Sequence, residues 1–351
     1  MNYSEIKLYL ITDEKQRFYF TGFASSAGYV LLMRGRKVFV VDSRYYYAAA
    51  QQLKPKGIKV VCGTGYDVLK EYVAKSDAEV VGIDFSKTTI KEFDELKALG
   101  LELVDAQEDI QKQMSIKSAK ELENIAAACA IAEKSFRETV KELKSGISEN
   151  EVAALLEYRF RMNGASDKSF NTIVAFGENS AVPHHETGDA RLKKNMPVLM
   201  DFGCLYNGYC SDMTRTFYYG IPPREFVRAY DAVYRAHIAA FENIRAGQSG
   251  VRADSFAREL LSDEGYGDYF THSLGHGIGV NIHEYPVLSP KGRNLLKDGM
   301  VFSIEPGVYI EGKFGIRIED TVVMKGGQPQ TFMKEPKELC VWVDGKLKKY
   351  K

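Results

Sequence analysis

The sequence predicts a small α/β domain over residues 1–112, followed by a larger α+β domain over residues 113–351. Three observations support this prediction. The chain of 351 residues is longer than a single hydrophobic core usually needs, so two domains are expected. In the first part, short β-rich runs alternate with helical stretches. In the second part, long helices are separated by segments that resemble β-hairpins, which is typical of helices packed on a curved antiparallel sheet.

The first domain contains four runs that are typical of buried strands: GYVLLM, KVFVVD, IKVVCG and EVVGID. The turn RGR, residues 34–36, joins the first two runs as a hairpin. YDVLKEYVAK has helical periodicity and precedes the fourth run. Gly63 and Gly65 follow a strand, but Val68 stands where the dinucleotide-binding fingerprint needs glycine. We therefore exclude a Rossmann-type dinucleotide site.

A domain boundary falls near the stretch QKQMSIKSAKELENIAAACAIAEKSF, residues 111–136, which we interpret as a linker followed by a long helix that opens the second domain. Ser118 and Glu121 form a capping box at the start of this Ala-rich helix. Three more helices are predicted in SENEVAALLEYRFRMNG, PPREFVRAYDAVYRAHIAAFENIRAG and VRADSFARELLSDEGYG. The β-rich segments of this domain are NTIVAFG, PVLMDFG, GYCSDMTRTFYYG, MVFSIEPGVYI and GIRIEDTVVM.

Composition excludes several classes of function. Lys+Arg and Asp+Glu both number 47, and this balance argues against a protein that mainly binds nucleic acid or an anionic membrane. The start MNYSEIKLYLITDEKQ places charges within every apolar run, so we expect neither a signal peptide nor a membrane span, and a cytoplasmic location. Five scattered cysteines predict reduced thiols. Cys204 and Cys210 are the only closely spaced pair, and we interpret them as buried small side chains rather than zinc ligands.

Two carboxylates occur in a hairpin whose other side chains favour burial. In the stretch MDFGCLYNGYCSDMTRTFYYG, Asn207 and Gly208 form a two-residue turn. The resulting register places Asp201 opposite Thr214 and puts Asp212 on the same face of the hairpin. The Cβ atoms of the two aspartates are then roughly 7 Å apart. Carboxylates at this separation can hold metal ions between them.

A second hairpin, VFSIEPGVYIEGKFGIRIEDTVVM, repeats this arrangement. A loop over residues 311–313, centred on Gly312, places Glu305 directly opposite Glu319. The alternation of side chains along a strand puts Arg317 on the face of Glu319, where it can orient a ligand. Both registers assume that no β-bulge interrupts the strands.

All six histidines lie in the second domain, and they are His184, His185, His237, His272, His276 and His283. Glycines on both sides of His276 exclude a regular helix there and predict a strand or loop. Four carboxylates on apolar hairpins repel one another unless cations offset their charge. We therefore predict two divalent ions, with one histidine in the ligand set. An oxygen-rich site of this kind favours Mn²⁺, Co²⁺ or Fe²⁺, with Zn²⁺ as a further possibility.

The stretches IVAFGENSAVPHH, DFGCLYNGYCSDMTRTF, HSLGHGIGVNIHE, GMVFSIEPGVYI and GIRIEDTVVM resemble motifs of the Xaa-Pro peptidases, prolidase and aminopeptidase P. These stretches span residues 173–324 in the order and spacing of that family. FYFTGFASSAGYVLL and VDSRYY resemble the small creatinase-like domain of the same proteins. The resemblance implies a pita-bread catalytic domain, a fold shared with methionine aminopeptidase, after a creatinase-like amino-terminal domain.

The resemblance also implies the metal ligands. They would be Asp201, Asp212, His276, Glu305 and Glu319. Asp212 and Glu319 would bridge the two ions, and Glu305 would also act as the general base. Two ions that share a bridging water can lower its pKa and stabilise the tetrahedral intermediate of hydrolysis.

Further residues gain roles from the resemblance. His184 and His283 match histidines that contact the substrate and stabilise the intermediate, and His272 matches another pocket histidine. Arg317 matches an arginine that supports the metal ligands. The resemblance implies no role for His185 or His237, and we interpret His237 as structural.

The implied reaction is hydrolysis of the bond between an amino-terminal residue and proline, in small peptides. This bond lacks an N–H group and restricts the preceding residue, so ordinary peptidases cleave it poorly. The sequence leaves open whether the substrates are dipeptides or longer peptides. Two alternatives are methionine aminopeptidase activity, which the extra amino-terminal domain disfavours, and a non-catalytic binding relative, which the complete ligand set disfavours. A homodimer is implied by the resemblance alone.

Overall fold

The computed structural model describes residues 6–76, 78 and 80–351. It divides the chain into two compact units, Met1–Met114 and Ser115–Lys351. Glu79, at the start of the predicted EVVGID strand, lies outside the described residues. Within the described ranges, no helix combines the length and the apolar character that crossing a membrane requires.

The amino-terminal unit is built on a six-stranded sheet. Its strands are β1 (Leu8–Ile11), β2 (Tyr29–Met33), β3 (Arg36–Val41), β4 (Lys59–Cys62), β5 (Val81–Ile83) and β6 (Leu103–Asp105). Its helices are α1 (Glu14–Thr21), α2 (Ser43–Leu53), α3 (Asp67–Ser76), α4 (Ile90–Ala98) and α5 (Gln107–Ser115), with a short 3₁₀ helix at Lys54–Lys56. The strand order is β4-β3-β2-β1-β5-β6. Strand β2 is antiparallel to both of its neighbours, β1 and β3, whereas β4, β5 and β6 each pair in parallel with their neighbours.

The predicted hairpin between β2 and β3 is confirmed, with a shorter turn than expected. Met33 pairs with Arg36, so the turn consists of Arg34 and Gly35 alone. Gly35 has a φ of 70°, which glycine adopts without the steric cost that a side chain brings. The apolar residues of these strands form the core of the unit, where Leu31 and other strand residues are fully buried.

The stretch that is predicted to begin with a linker is helical at its start, because residues 111–115 belong to helix α5. Glu108 and Asp109 lie in the first turn of this helix, where negative charge complements the helix dipole. Ile110 and Met114 are four residues apart and are both buried. This apolar spacing on one helix face is a signal that the linker interpretation missed.

The second unit contains four long helices and fifteen strands in the part of the chain that the structure describes. The helices are α6 (Ala119–Val140), α7 (Glu149–Met162), α8 (Arg224–Asn243) and α9 (Gly250–Asp263), with 3₁₀ helices at Gly177–Ala181 and Gly267–Tyr269. The first strands are β7 (Asp167–Lys168), β8 (Ile173–Phe176), β9 (Met196–Phe202), β10 (Cys204–Tyr206), β11 (Tyr209–Cys210), β12 (Met213–Tyr219), β13 (Gly275–Gly277) and β14 (Glu284–Leu288). The others are β15 (Val301–Ile304), β16 (Gly307–Ile310), β17 (Phe314–Arg317), β18 (Asp320–Lys325), β19 (Gln328–Thr331), β20 (Cys340–Val343) and β21 (Lys346–Lys349).

Two five-stranded sheets form the centre of this unit, in the orders β21-β20-β12-β9-β8 and β14-β13-β15-β18-β19. Their pairs are antiparallel, as predicted, apart from the parallel pair of β12 and β20. Helix α8 buries Tyr230 and Val233 in a core that also contains Phe302 and Ile316. Full burial of one such side chain contributes roughly 1.5–3 kcal/mol. The predicted capping box of α6 is also present, because Glu121 accepts a hydrogen bond from the Ser118 backbone N–H at 2.9 Å.

The predicted register of the first hairpin is confirmed. Asp201 lies opposite Thr214 in the ladder of β9 and β12, and Tyr206 pairs with Tyr209 at its tip. Both residues of the turn, at 207–208, have positive φ angles of 48° and 80°. Such angles are what a type I′ turn requires, and Asn-Gly is the dipeptide that adopts it most readily.

The second hairpin also has the predicted register. Gly307 lies opposite Arg317 across the loop at residues 311–313. The same register continues in β15 and β18, where Ile304 lies opposite Asp320. Glu305 and Glu319 therefore lie opposite each other in the gap between the β15–β18 ladder and the β16–β17 ladder. A carboxylate in such a gap can turn toward a neighbouring element.

Candidate metal centre

Three segments that are distant in the chain meet at one cluster of possible ligand atoms. Asp212 precedes β12, His276 lies in β13, and Glu319 precedes β18. One ligand atom from each of these residues lies within 4.8 Å of the others. Both carboxylates are buried, so their charge is largely withdrawn from water.

His276 connects this cluster to a third carboxylate. Its Nε2 lies 3.5 Å from Oδ2 of Asp212 and 3.3 Å from Oε1 of Glu305. Its Nδ1 lies 3.1 Å from the Gly277 carbonyl and donates to it, which leaves Nε2 of the neutral ring as a lone-pair donor. A Cβ on Gly275 would lie 2.0 Å from the Ser303 carbonyl, so glycine is what lets β13 approach β15 this closely.

Asp201 supplies the fourth carboxylate. Its Oδ2 accepts a hydrogen bond of 2.5 Å from Nη2 of Arg317. Its Oδ1 is buried and has no hydrogen-bond partner among the described residues. A buried carboxylate oxygen without a partner is costly, and a cation removes that cost. This orphaned oxygen is one observation that fits a metal site.

Electrostatics provides a second observation. Burial, and then the Glu319 and Asp201 carboxylates, raise the pKa of Asp212 well above its ordinary value. Burial and the Glu305 carboxylate do the same to the pKa of Glu319. Burial also raises the pKa of Glu305 to about 7. Buried carboxylates with raised pKa values ionise together only when positive charge lies beside them. Four carboxylates and one imidazole are a ligand set that fits two divalent cations.

Arg317 joins the two hairpins. Its Nε donates to Oγ1 of Thr214 at 3.0 Å, and its Nη1 donates to the Tyr309 hydroxyl at 2.6 Å. Oγ1 of Thr214 in turn donates to Oε2 of Glu319 at 2.6 Å. The guanidinium therefore fixes Asp201 directly and Glu319 through Thr214, as the strand alternation suggested.

The three histidines that the resemblance placed near a substrate line one cavity with this cluster, and its volume is about 780 Å³. His283 packs edge-on against His276, with ring centroids 4.3 Å apart. His272 lies within hydrogen-bond distance of the Tyr309 hydroxyl, at 2.9 Å from Nε2. Burial lowers the pKa of His272 to about 3 and that of His283 to about 4, so both rings are neutral at pH 7. His184 lines the same cavity.

Sequence reasoning missed Glu149, a fully buried carboxylate at the start of α7. It accepts hydrogen bonds from the backbone N–H groups of Phe176 at 2.8 Å and Gly188 at 3.1 Å. It also lies 2.8 Å from Nε2 of His185. The donors come from the segment 176–188, which carries His184. One signal was present, since the capping box of α7 uses Glu151 and leaves Glu149 unexplained.

The remaining candidates lie apart from the cluster. His237 is fully buried in α8, neither ring nitrogen has a partner among the described residues, and burial lowers its pKa to about 3. Cys204 and Cys210 are buried, as predicted. The Cys204 thiol donates to the Ala128 carbonyl at 3.3 Å, and neither cysteine belongs to the metal cluster found among the described residues.

Comparison with known proteins agrees with this geometry. The family model described as metallopeptidase family M24 matches residues 123–326, and the model of the creatinase/prolidase N-terminal domain matches residues 1–114. The Xaa-Pro dipeptidase of Pyrococcus furiosus is 36% identical over 342 residues, which cover 97% of each chain. The chain belongs to the Xaa-Pro peptidase family. It is a metallopeptidase, and the predicted fold class, a creatinase-like domain before a pita-bread domain, is confirmed.

Solved structures of the family are closely similar to this chain. An Xaa-Pro dipeptidase from Bacillus anthracis has a TM-score of 0.91 and 34% identity, covering 96% of this chain and 95% of that one. An X-Pro aminopeptidase from Thermotoga maritima has a TM-score of 0.87 and 34% identity, covering 96% of this chain and 97% of that one. The two names differ in the length of peptide they denote, and the identity to this chain is the same for both.

Proposed function

We propose that this protein hydrolyses the peptide bond between an amino-terminal residue and proline. The residues that would hold two divalent ions are Asp201, Asp212, His276, Glu305 and Glu319. The observation that carries this proposal is the meeting of four carboxylates and one imidazole in a cavity lined by four more histidines. The names of the relatives, which include Xaa-Pro dipeptidases, support the substrate class.

Each part of the site has a defined task in this reaction. When bound, the two ions supply Lewis acidity, which activates the attacking water and offsets charge that develops on the peptide carbonyl. Glu305 accepts the proton of the water and passes it to the proline nitrogen. His184 and His283 contact the substrate carbonyl. His272 fixes Tyr309, and Arg317 fixes Asp201.

The cavity also suits the substrate. Phe170, Ile173 and Val287 provide apolar walls for a side chain and for the pyrrolidine ring. The carboxylates favour a free amino group at the start of the peptide. An oxygen-rich ligand set supports Mn²⁺ as the preferred ion. A homodimer and a cytoplasmic location are further parts of this proposal and rest on the resemblance to the family.

A substrate panel tests the proposed reaction. Ala-Pro, Ala-Pro-Ala and Met-Ala peptides are each incubated with the protein and Mn²⁺, Co²⁺ or Zn²⁺, and the released amino acid is measured. Cleavage of the two proline peptides is expected, and their ratio distinguishes a dipeptidase from an aminopeptidase. A clear preference for Met-Ala would show methionine aminopeptidase activity instead. Absence of turnover with every metal would favour a non-catalytic relative.

Metal binding is expected to weaken as the pH falls below about 7, the pKa of Glu305. A protonated carboxyl must lose its proton before it can ligate, so protons compete with the metal on the acid side of this pKa. Burial lowers the pKa of His276, so this ring takes up a proton less readily than a solvated histidine does. Elemental analysis after dialysis at about pH 8 and about pH 4 measures the effect. Full occupancy at the acidic pH would contradict it.

Glu149→Gln is expected to lower kcat for Ala-Pro roughly 10- to 100-fold, because a buried charged acceptor contributes about 1.5–3 kcal/mol. The amide has a single acceptor oxygen, so it cannot accept both from Phe176, which bonds Oε1, and from Gly188, which bonds Oε2, and the segment that carries His184 loses part of its anchor. Glu151→Gln is the matched control, since Glu151 caps the same helix without contacting this segment. A purely structural role would change the melting temperature without changing kcat or the pH profile of the folded enzyme.

A further inference from the structure

A cavity in the amino-terminal unit has no part in the proposed reaction. It has a volume of about 890 Å³ and is lined by residues of β1 to β4 and of α3. This volume lies in the range of pockets that hold a small ligand. Five basic side chains but a single carboxylate, Glu71, line the cavity in the part of the chain that the structure describes. Its chemistry is therefore strongly cationic.

Two of the basic side chains donate hydrogen bonds to the same neutral hydroxyl group. Nη2 of Arg36 and Nζ of Lys59 both donate to the Tyr72 hydroxyl, each at 3.1 Å. Both charged groups also lie beside the Tyr72 ring, at 5.1 Å and 5.7 Å from its centroid. Tyr72 is buried, with 5% of its surface exposed, so the acceptor is fixed in place. Like charges this close repel each other unless an anion lies between them.

Other lysines of this unit have carboxylate partners, and one of them, Lys75, lines the cavity. Lys75 pairs with Glu71 at 2.6 Å, and Lys112 pairs with Glu108 at 2.7 Å. By contrast, Arg34, Arg36 and Lys59 form no ion pair among residues 6–76, 78 and 80–351. Among the described residues, the cavity lining therefore brings together three cations without a carboxylate partner, which are Arg34, Arg36 and Lys59.

We propose that this cavity binds a small molecule that carries a phosphate group, with the phosphate between Arg36 and Lys59 and beside Arg34. A guanidinium presents a planar pair of donors that matches phosphate oxygens, and an ammonium adds a point charge. The Tyr9 side chain lines the cavity. Its hydroxyl donates a hydrogen bond to Asp109 at 3.2 Å, which holds the ring in position. The concave shape suits one compact anion rather than an extended polymer.

Calorimetric titration of the full chain with ATP and, separately, with inorganic phosphate tests this proposal. Saturable binding of at least one probe is expected, and it should weaken about tenfold or more in an Arg36→Ala/Lys59→Ala double variant. The matched control is Lys87→Ala/Lys97→Ala, which removes two exposed charges elsewhere in the same unit and should leave affinity unchanged. Tighter binding of ATP than of phosphate identifies an organic phosphate as the ligand; the reverse identifies free phosphate.

Several results would overturn the proposal. These are the absence of saturable binding of either probe at millimolar concentration, or an equal loss of affinity in both double variants. If the Arg36→Ala/Lys59→Ala variant does not fold, as judged by circular dichroism, Lys59→Gln alone replaces it, and unchanged affinity there also overturns the proposal. The comparison of the two double variants assigns the binding to the amino-terminal cavity, so this outcome does not depend on the proposed peptidase reaction.

Discussion

Glu305→Gln is expected to lower kcat/KM for Ala-Pro by about 10³-fold or more while the protein remains folded. General acid–base catalysis alone typically contributes about 10²–10⁴-fold, and the neutral amide can no longer accept a proton. The amide is also a weaker ligand for a hard cation, so part of the loss is expected to appear as reduced metal affinity. Steady-state kinetics with added Mn²⁺, together with elemental analysis of the variant, separates these two contributions.

The matched control for Glu305 lies in the same hairpin. Glu311→Gln makes the same chemical change in the exposed loop between β16 and β17, and it should leave kinetics and metal content unchanged. Unaltered turnover of Glu305→Gln would remove Glu305 from the mechanism. Lost turnover with full metal occupancy would assign the whole effect to proton transfer.

Arg317→Met is expected to destabilise the metal-free protein by about 3–5 kcal/mol, the usual cost of leaving a buried charge without its partner. Arg317 is 4% exposed, and its guanidinium holds Asp201, Thr214 and Tyr309. Methionine fills similar space but leaves the Asp201 carboxylate without its donor. Urea denaturation measures the free energy of unfolding, and added Mn²⁺ should recover part of the loss by supplying positive charge.

Two further variants give the Arg317 experiment its controls. Arg317→Lys keeps the charge but loses the planar fork, so an intermediate loss is expected. Arg235→Met removes an exposed arginine that pairs with Asp231 on the same helix, and exposed pairs contribute only about 0–1 kcal/mol. If Arg317→Met and Arg235→Met shift the free energy of unfolding equally, the buried network does not stabilise the fold as described.

Local signals in the sequence predicted the hairpins well. Asn207 and Gly208 specify a turn, and the turn together with side-chain alternation sets the partner of Asp201. By the same reasoning, the loop centred on Gly312 places Glu305 opposite Glu319. These predictions succeed because register depends on neighbours within about twenty residues.

Local signals failed where a longer-range contact decides the structure. Residues 111–115 form the end of helix α5 instead of the predicted linker, because the few apolar residues of this helix only form a face once Ile110 and Met114 have a core to pack against. The role of Glu149 was invisible, because its donors come from residues 176–188 and not from its own helix. Glu149 has no partner until the segment 176–188 folds over the start of α7.

The sequence by itself determined which side chains are candidates for the chemistry and how each hairpin is paired, since turn type and periodicity act over short distances. Only the tertiary structure decided that the two hairpins and β13 share one centre. Arg317 and Asp201 are 116 residues apart in the chain, and Thr214 and Glu319 are 105 apart. No local pattern encodes contacts of this separation. They follow from packing the two sheets into one core, which brings charges together that the chain alone would keep apart.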